Sequence, residues 1–177
     1  FENAMRAHQA GTGFLTGVTA ASAGINHSLA LKSDGTVWAF GSNQYGQIAQ
    51  VSTVTQKTTP FQVTGFPAGT AIVAIAAGDY HSLALASDGK VFAWGQGASG
   101  RLGTGVVTNA YAPTQSLTPA GARAIAAGGS HSLVALADGR LYVFGSNTFG
   151  ELGTGTGAAS TPTVVPGLSG VVAIGAG

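Results

Sequence analysis

The sequence predicts an all-β fold, a β-propeller whose blades follow one another along the chain. Three observations support this prediction: a long pattern that recurs in register, a turn signal at the centre of each copy, and alternating apolar side chains beside the turn. The copies cover residues 24–46, 78–100 and 128–150. The histidine of each copy recurs after 54 and then 50 residues. Self-similarity at a period of about 40–50 residues, with β signals inside each unit, is typical of propeller arrays.

An Asp-Gly dipeptide lies at the centre of each copy, between two short apolar runs. In the middle copy the runs are 82–86 and 90–94, with Asp88 and Gly89 between them. Asp-Gly between alternating apolar runs is the strongest short-range hairpin signal, because a tight turn needs positive φ values that these residues tolerate. We therefore expect a hairpin in every copy. The turn residues are Asp34, Gly35, Asp88, Gly89, Asp138 and Gly139.

The run after each turn alternates between small aliphatic and aromatic side chains. In the first copy, Val37 and Ala39 alternate with Trp38 and Phe40. Residues two apart share a face of a strand, so one face is aliphatic and the other aromatic. Two apolar faces are expected of a strand whose sheet is packed on both sides, as in a propeller blade.

Two further features complete each unit. The third residue after the aromatic strand is Asn43, Gly97 or Asn147, and this exchange of Asn with Gly indicates a left-handed backbone conformation there. A later segment contains a proline, which predicts an outer edge strand because proline is tolerated at a sheet edge. The prolines are Pro60, Pro113 and Pro162.

The composition excludes several classes of protein. Charged residues make up 7% of the chain, against about 25% in typical proteins. The net charge is +1 without a Lys/Arg run, so we expect no nucleic-acid or membrane partner. The absence of cysteine excludes disulfides and cysteine metal sites. The longest apolar run, 71–77, is far shorter than the roughly 18 residues of a membrane span. We expect an exported bacterial protein, extracellular or at the cell surface.

The chain divides into a short leading segment and the repeats. Residues 1–17 are expected to be an N-terminal linker or edge segment, and residues 1–9 look unrelated to the repeat. Residues 18–177 are expected to form repeat units at about 24–77, 78–127 and 128–177. Propellers usually have about 4–8 blades, so three units do not close a ring. We expect either a fragment of a longer chain or copies of this chain that associate to complete the ring.

The repeated unit VxxIxxGxxHSLALxxDGxVxxWGxNxxGQLG closely resembles the repeat of the regulator of chromosome condensation family. The resemblance covers roughly residues 18–177. It implies a seven-bladed propeller, of which this chain supplies about three blades. Departures are small. Gln47-Ile48-Ala49 and Arg101-Leu102-Gly103 depart from the usual family motif, and Ala21 stands where Ile75 and Ile125 stand.

The functions of this family diverge, and the fold does not decide among them. The founding member is a nucleotide exchange factor for a small GTPase and binds chromatin. A plant member senses ultraviolet light through clustered tryptophans, a secreted bacterial member inhibits class A β-lactamases, and many others are protein-interaction modules. Trp38 and Trp94 lie on the aromatic strand and not in a GWxHS loop, which disfavours photoreception. Exchange activity would need a wedge-like insertion, and no insertion interrupts these repeats.

Each repeat also contains a His-Ser dipeptide, which suggests a hydrolase. Neighbouring residues of a strand point to opposite faces, so the histidine and the next serine cannot form a catalytic pair. We expect a structural role in which His27, His81 and His131 hydrogen-bond the backbone inside their own blades. The stretch 95–100 matches GxGxxG but lacks the following helix of a dinucleotide site. We therefore expect no catalytic residue, cofactor or metal.

The loops at the end opposite the Asp-Gly turns are the predicted partner-binding surface. Residues before the first strand and after the second strand of an antiparallel hairpin emerge together. These positions vary between the copies and include aromatic residues, which are the usual anchors of protein interfaces. The alternative is that the aromatics only cover the end of the blade. The predicted contact residues are Asn26, Gln44, Tyr45, Asp79, Tyr80, Ser99, Ser130, Thr148 and Phe149.

Together these patterns predict a non-enzymatic protein-binding scaffold, a rigid propeller that presents rim loops to a protein partner. Copies of the same chain are a second candidate partner. The alternatives are a guanine nucleotide exchange factor for a small GTPase and structural spacer repeats of a larger surface protein. A carbohydrate-binding propeller is a further alternative, although tryptophan is missing from the loops.

Overall fold

The computed structural model describes residues 8–9, 13–155 and 157–177 and confirms the all-β prediction. Strands β1 (His8–Gln9) and β2 (Gly13–Phe14) form a short antiparallel pair. The remainder of the expected leading segment at 1–7 and 10–12 lies outside the described residues. No helix in the described ranges has the length and hydropathy needed to cross a membrane.

Twelve further strands form three four-stranded antiparallel sheets, in each of which neighbouring strands follow one another along the chain. Blade 1 consists of β3 (Val18–Ala23), β4 (His27–Lys32), β5 (Val37–Ser42) and β6 (Gln56–Gln62). Blade 2 consists of β7 (Ile72–Ala77), β8 (His81–Ala86), β9 (Val91–Gly95) and β10 (Ala110–Gln115), with a 3-10 turn at Ala98–Gly100. Blade 3 consists of β11 (Ala122–Ala127), β12 (His131–Leu136), β13 (Leu141–Gly145) and β14 (Ala159–Val164). Each sheet therefore begins with the apolar strand that precedes the His-Ser hairpin.

The Asp-Gly dipeptides lie in the hairpin turns between the second and third strands of the blades. In blade 1, Lys32 N donates to Thr36 O and Gly35 N donates to Lys32 O. The Asp34 carboxylate accepts hydrogen bonds from the Thr36 backbone at 3.0 Å and from its hydroxyl at 2.6 Å. Gly35, Gly89 and Gly139 have φ values of 78°, 80° and 84°, so a residue with a Cβ would be strained there.

The two apolar faces of each blade pack against different neighbours. The aliphatic side chains Leu29 and Val37 of blade 1 lie in one core cluster with Phe92 and Trp94 of blade 2. In the same way Val91 of blade 2 lies in a cluster with residues of blade 3 that include Phe144. We call the contact between blades 1 and 2 the first seam and the contact between blades 2 and 3 the second seam.

The proline-containing strands are the outer edge of each sheet. Among the described strands, β6, β10 and β14 each pair with a single neighbour. Each pairing has a register shift beside its proline-containing stretch. Pro60 and Pro113 are nevertheless buried. Proline is compatible with this position because the outer edge requires no donor to a further strand.

The prediction of a left-handed residue at the Asn/Gly position was wrong. Gly97 has φ −94°, and the non-glycine residues with positive φ in the described chain are Ala49 and Ser99. Asn43 instead ties its long loop together, because its Nδ2 donates to Gln50 O at 3.0 Å and to Val54 O at 2.7 Å. At Gly97 a Cβ would lie 1.9 Å from Thr108 O. Glycine is therefore required there for space and not for its φ value.

Candidate functional site

The strand register brings the predicted contact loops to one end of the molecule. His27 pairs with Gly41, His81 with Gly95 and His131 with Gly145. As a result, the backbone carbonyl of the residue before each histidine accepts a hydrogen bond from the backbone N–H of the residue after the paired glycine, at 2.7–2.9 Å. The Asp-Gly turns lie at the opposite end. We call the loop end the rim.

Two rim aromatics meet across the first seam. The rings of Tyr45 and Tyr80 lie edge to face, with centroids 5.4 Å apart and an interplanar angle of 74°. Both side chains are half-buried, so each combines a fixed position with an exposed edge. Phe149 occupies the position of Tyr45 in blade 3 and is 90% exposed. The same sequence position is thus packed against a ring of the next blade in blade 1 and exposed in blade 3.

The remaining predicted contact residues line the same end with polar groups. Asn26, Gln44, Ser99 and Thr148 are exposed, whereas Asp79 and Ser130 are half-buried. Backbone hydrogen bonds also join the blades here, from Ile25 N to Asp79 O and from Asp79 N to Gly129 O, both at 3.3 Å. The loops of separate blades are therefore fastened to one another.

Arg101 is a rim residue whose importance the sequence did not reveal. Its side chain is only 5% exposed, and its Nε donates to Ala98 O at 3.0 Å. Burial lowers the pKa of Arg101, and the negative charge of Asp79 opposes that change. The one sequence feature that could have pointed to Arg101 is its departure from the usual family motif. The rim end of the second seam therefore contains a buried guanidinium, that of Arg101, near an acidic residue, Asp79.

The inner end of the rim encloses a concave space of about 350 Å³. It is lined by the Ala-Gly ends of β3, β7 and β11 and by the chain end at Ala176 and Gly177. The lining offers mainly backbone groups, with Asp79 as its one ionisable side chain. Among the described residues, no group of three or more His, Cys, Asp or Glu could hold a metal ion.

His27 and His81 bind the neighbouring blade and not the backbone of their own blade, contrary to our expectation. His27 Nε2 lies 3.0 Å from Ser82 Oγ, and His81 Nε2 lies 2.8 Å from Ser132 Oγ. Each serine hydroxyl donates in turn to a carbonyl of the preceding blade, Gln47 O or Arg101 O, at 2.8 Å. We call this His-Ser-carbonyl chain the latch. His131 is half-buried, and its expected structural role stays a prediction.

The latch also determines the protonation state of its histidines. The serine hydroxyl has one proton and gives it to the carbonyl, so the histidine Nε2 must carry the proton that the serine oxygen accepts. Nδ1 is then an unprotonated acceptor, and in both His27 and His81 it is buried without a hydrogen-bond partner. Burial lowers the pKa of His27 to about 4, and burial together with the charge of Arg101 lowers the pKa of His81 to about 3. Both rings are neutral at pH 7.

The repeat model named Regulator of chromosome condensation (RCC1) repeat matches residues 34–85, 88–135 and 138–177. A second model with the same description matches residues 18–47, 72–101 and 122–151. The second model follows the structural blades, because each match begins at the first residue of β3, β7 or β11. Together the matches cover all three blades.

Known proteins with this repeat are similar to the chain over part of their length. The Ultraviolet-B receptor UVR8 of Arabidopsis thaliana is 39% identical over 84 residues, which are 48% of this chain and 19% of the receptor. The human Regulator of chromosome condensation is 32% identical over 96 residues, 54% of this chain and 22% of that protein. The structure of Prp20p from Saccharomyces cerevisiae matches with a TM-score of 0.77 and 26% identity, covering 85% of this chain and 39% of that chain. The chain therefore spans well under half the length of these relatives. Since the repeat model matches most of its residues, the chain belongs to the regulator of chromosome condensation (RCC1) repeat family.

Proposed function

We propose that this chain is a non-enzymatic protein-binding scaffold whose rim is the contact surface. The observation that carries the proposal is the Tyr45–Tyr80 pair, two aromatic rings from different blades held 5.4 Å apart at one end of the molecule. Tyrosine is enriched in protein interfaces because it offers a large apolar ring and a polar hydroxyl at low entropic cost.

The rim loops are fixed by contacts below them, which favours binding. Asn43 closes the loop of blade 1 through its bonds to Gln50 O and Val54 O. In blade 2, Gly97 N donates to Asn109 Oδ1 at 3.1 Å, and Arg101 holds Ala98 O. A surface that is already ordered loses little conformational entropy when a partner binds.

The non-enzymatic part of the proposal rests on the latch. A serine nucleophile needs an accessible hydroxyl and a base that can take its proton. Ser82 and Ser132 are both 0% exposed, and their protons are donated to backbone carbonyls. The His-Ser pairs therefore support packing and not catalysis.

Relatives of this chain bind other proteins. The Prp20p structure was described together with its binding to Gsp1p and histones, and yeast RCC1 has been solved bound to Kap60. These partners belong to those proteins. They support protein binding as the class of function for this chain, but not the identity of its partner.

The test compares two variants of blade 2 at opposite ends. A partner is first isolated by affinity enrichment on the immobilised chain, and its affinity is then measured for Tyr80→Ala and for Lys90→Ala. Lys90 is exposed and lies beside the Asp-Gly turn. We expect the Tyr80 variant to bind at least about tenfold more weakly, as an interface anchor does, and the Lys90 variant to bind normally. Equal affinities for both variants would refute the rim as the contact surface.

A nucleotide exchange factor is the second candidate, favoured by the 32% identity with the human Regulator of chromosome condensation. Its test is the release of a fluorescent guanine nucleotide from small GTPases. Acceleration by catalytic amounts of the chain would replace the scaffold proposal. Structural spacer repeats are favoured instead if variants of both Tyr45 and Tyr80 leave every partner interaction intact.

An extracellular or cell-surface location is part of the same proposal. It is supported by the low share of charged residues, 7%, and by the absence of cysteine. Fractionation of the producing cells with an antibody to the chain tests it, and recovery from the cytoplasm alone would exclude it.

A further inference from the structure

Arg101 reverses the polarity of a rim contact that the other two blades make. In blade 1, Gln47 Oε1 accepts a hydrogen bond from Tyr45 N at 2.9 Å. In blade 3, Glu151 Oε2 accepts one from Phe149 N at 2.8 Å. Arg101 stands at the equivalent position of blade 2 but has no acceptor atom, and its Nε donates to a loop carbonyl at 3.0 Å instead. Blade 2 therefore carries a cation where its neighbours carry an amide and a carboxylate.

Most of the donor capacity of the Arg101 side chain is unused. A guanidinium has five N–H groups. Within the described chain, Nε makes the loop contact and Nη1 makes a long one of 3.5 Å to Gly129 O, so three N–H groups lack an acceptor. The ion pairs of the described chain belong to the Asp-Gly turns, at Asp34, Asp88 and Asp138. Arg101 therefore has no carboxylate paired with it.

Burial makes this unpaired charge an effective binding group. Arg101 is 5% exposed, so its guanidinium has lost most of its hydration on folding and not on binding. A carboxylate that reaches it meets a charge that is less screened than one on an open surface. The planar fork of the guanidinium also matches the two oxygens of a carboxylate.

The rim beside Arg101 is less covered than the rim of the first seam. Tyr45 and Tyr80 meet across the first seam, whereas Ser99 and Ser130 occupy the same sequence positions at the second seam. Neither serine hydroxyl has a hydrogen-bond partner within the described residues, so both can donate to a ligand. Nη2 of Arg101 makes no hydrogen bond and is not among the enclosed polar atoms of the described chain, so it reaches solvent.

Asp79 lies near the same place and opposes an anion there. Its negative charge raises the pKa of Arg101 against the effect of burial, although the two side chains form no ion pair. Its Oδ2 lies 3.0 Å from the position that a Cβ on Gly129 would take, so glycine leaves room for the carboxylate. Removal of the Asp79 charge should therefore strengthen the binding of an anion by Arg101.

We propose that the rim of the second seam binds a carboxylate group of the protein partner. Arg101 pairs with the carboxylate, and the hydroxyls of Ser99 and Ser130 donate hydrogen bonds to it. The group is an acidic side chain or a chain terminus, which share this chemistry. The inference rests on the proposed function of the rim and adds one feature of the partner, an exposed carboxylate at the second seam.

The test uses three small probes on the isotopically labelled full chain, followed by NMR. N-acetylglutamate N-methylamide presents a side-chain carboxylate, N-acetylglutamine presents a terminal one, and N-acetylglutamine N-methylamide presents none. We expect saturable shifts of the Arg101 Nε–H and of the Gly129 and Ser130 amides with a charged probe, at an affinity at least about tenfold above that of the neutral probe. The charged probe that binds more tightly identifies the source of the carboxylate.

Variants of the chain localise the contact. Arg101→Gln introduces the residue that blade 1 has at this position and should weaken binding of the charged probe at least about tenfold. Asp79→Asn should strengthen it at least about twofold. Arg140→Gln is the matched control, because it removes the same charge at the Asp-Gly end and should leave binding unchanged. Should Arg101→Gln fail to fold by circular dichroism, Asp79→Asn and the neutral probe still test the site.

The absence of saturable shifts with both charged probes would overturn the proposal. So would shifts that persist in Arg101→Gln, or weaker binding in Asp79→Asn. The isolated partner separates this failure from failure of the rim. An affinity lowered by Tyr80→Ala but not by Arg101→Gln would refute the carboxylate site alone, whereas an affinity that Tyr80→Ala leaves unchanged would refute the rim as the contact surface.

Discussion

The two internal seams share one backbone arrangement but differ in their side chains. Both contain a latch with the same atoms and similar distances. The first seam adds Trp94, whose Nε1 donates to Gln47 O at 3.0 Å, and Phe66, whose ring lies edge to face with Phe92 and Trp94. The second seam has Phe144 at the position of Trp94 and cannot make the indole hydrogen bond.

The comparison distinguishes the latch, which both seams contain, from the aromatic contacts, which differ between the seams. The latch is repeated because it satisfies buried polar groups that every seam creates, namely the histidine ring and a loop carbonyl. The aromatic contacts vary because many apolar shapes can fill the same volume. We therefore expect the latch to make a similar contribution to both seams and the aromatics to make the first seam the more stable.

Truncation of the buried aromatics should have the largest effect. Trp94→Ala and Phe144→Ala should each lower the free energy of unfolding by about 3–5 kcal/mol, with the larger loss for Trp94 because Gln47 O also loses a donor. Urea denaturation followed by circular dichroism measures both. An equal or smaller loss for Trp94 would remove the proposed difference between the seams.

Removal of the latch serines should cause the next largest loss of stability, and the loss should be similar in the two seams. Ser82→Ala and Ser132→Ala each leave a buried histidine N–H unpaired, which costs about 1–3 kcal/mol. Ser132→Ala also removes the hydroxyl donor of Arg101 O, whereas Gln47 O keeps the Trp94 indole N–H when Ser82 is replaced. Ser28→Ala is the matched control, because Ser28 has the same strand position but is half-buried and lies outside both seams, and it should change stability by less than about 0.5 kcal/mol. Denaturation curves that place Ser28→Ala level with the other two variants would contradict a specific role of the latch.

Acid should weaken both seams before it affects the rest of the fold. His27 and His81 are neutral when folded, with pKa values lowered by burial to about 4 and about 3, whereas in the unfolded chain they titrate at an ordinary value near 6.5. The unfolded state therefore binds more protons below this value, and stability falls as the pH drops from about 6.5 towards 4. The loss at pH 5 should be on the order of 1–2 kcal/mol for each histidine.

Urea denaturation at pH 7.5 and pH 5 measures this dependence. Stability that stays constant between the two pH values would show that the histidines are accessible to protons in the folded protein.

The smallest expected effect is a gain at a strained residue of the first seam. Ala49 has φ 57°, and the equivalent Gly103 and Gly153 have φ 64° and 62°. A left-handed conformation costs a residue with a Cβ about 1 kcal/mol, so Ala49→Gly should stabilise the chain by up to that amount. The reverse change in the second seam, Gly103→Ala, should destabilise it, because the added Cβ would lie 2.8 Å from the Phe144 ring. A loss of stability in Ala49→Gly, measured by thermal denaturation, would refute this account.

The sequence predicted most of the fold because the relevant signals are local. The Asp-Gly turns, the alternation of Val37 and Ala39 with Trp38 and Phe40, and the edge prolines each act within a few residues. The left-handed site was placed wrongly at Asn43 because Asn and Gly can replace one another for different reasons. Asn43 bonds loop carbonyls, whereas Gly97 makes room for Thr108 O, and the positive φ occurs at Ala49 instead.

The sequence predicted that the rim loops lie at one end of the blades, but not how their side chains contact one another. The antiparallel hairpin placed the rim loops together, since strand direction alone determines which loops share an end. The edge-to-face contact of Tyr45 with Tyr80 joins two blades, and the buried position of Arg101 depends on how the second seam closes. Neither could be read from a pattern within one repeat.

By itself the sequence determined that this protein is a row of similar blades, since period, turns and strand alternation are properties of each unit. Only the tertiary structure decided what the repeated histidines do. Alternation along a strand tells which face His27 points to, and it excluded a bond to Ser28. It does not tell which group of the facing blade lies opposite, and that group is Ser82, 55 residues away. Packing between the blades sets this pairing, because the buried histidine, serine and carbonyl satisfy one another only when two blades meet in one register.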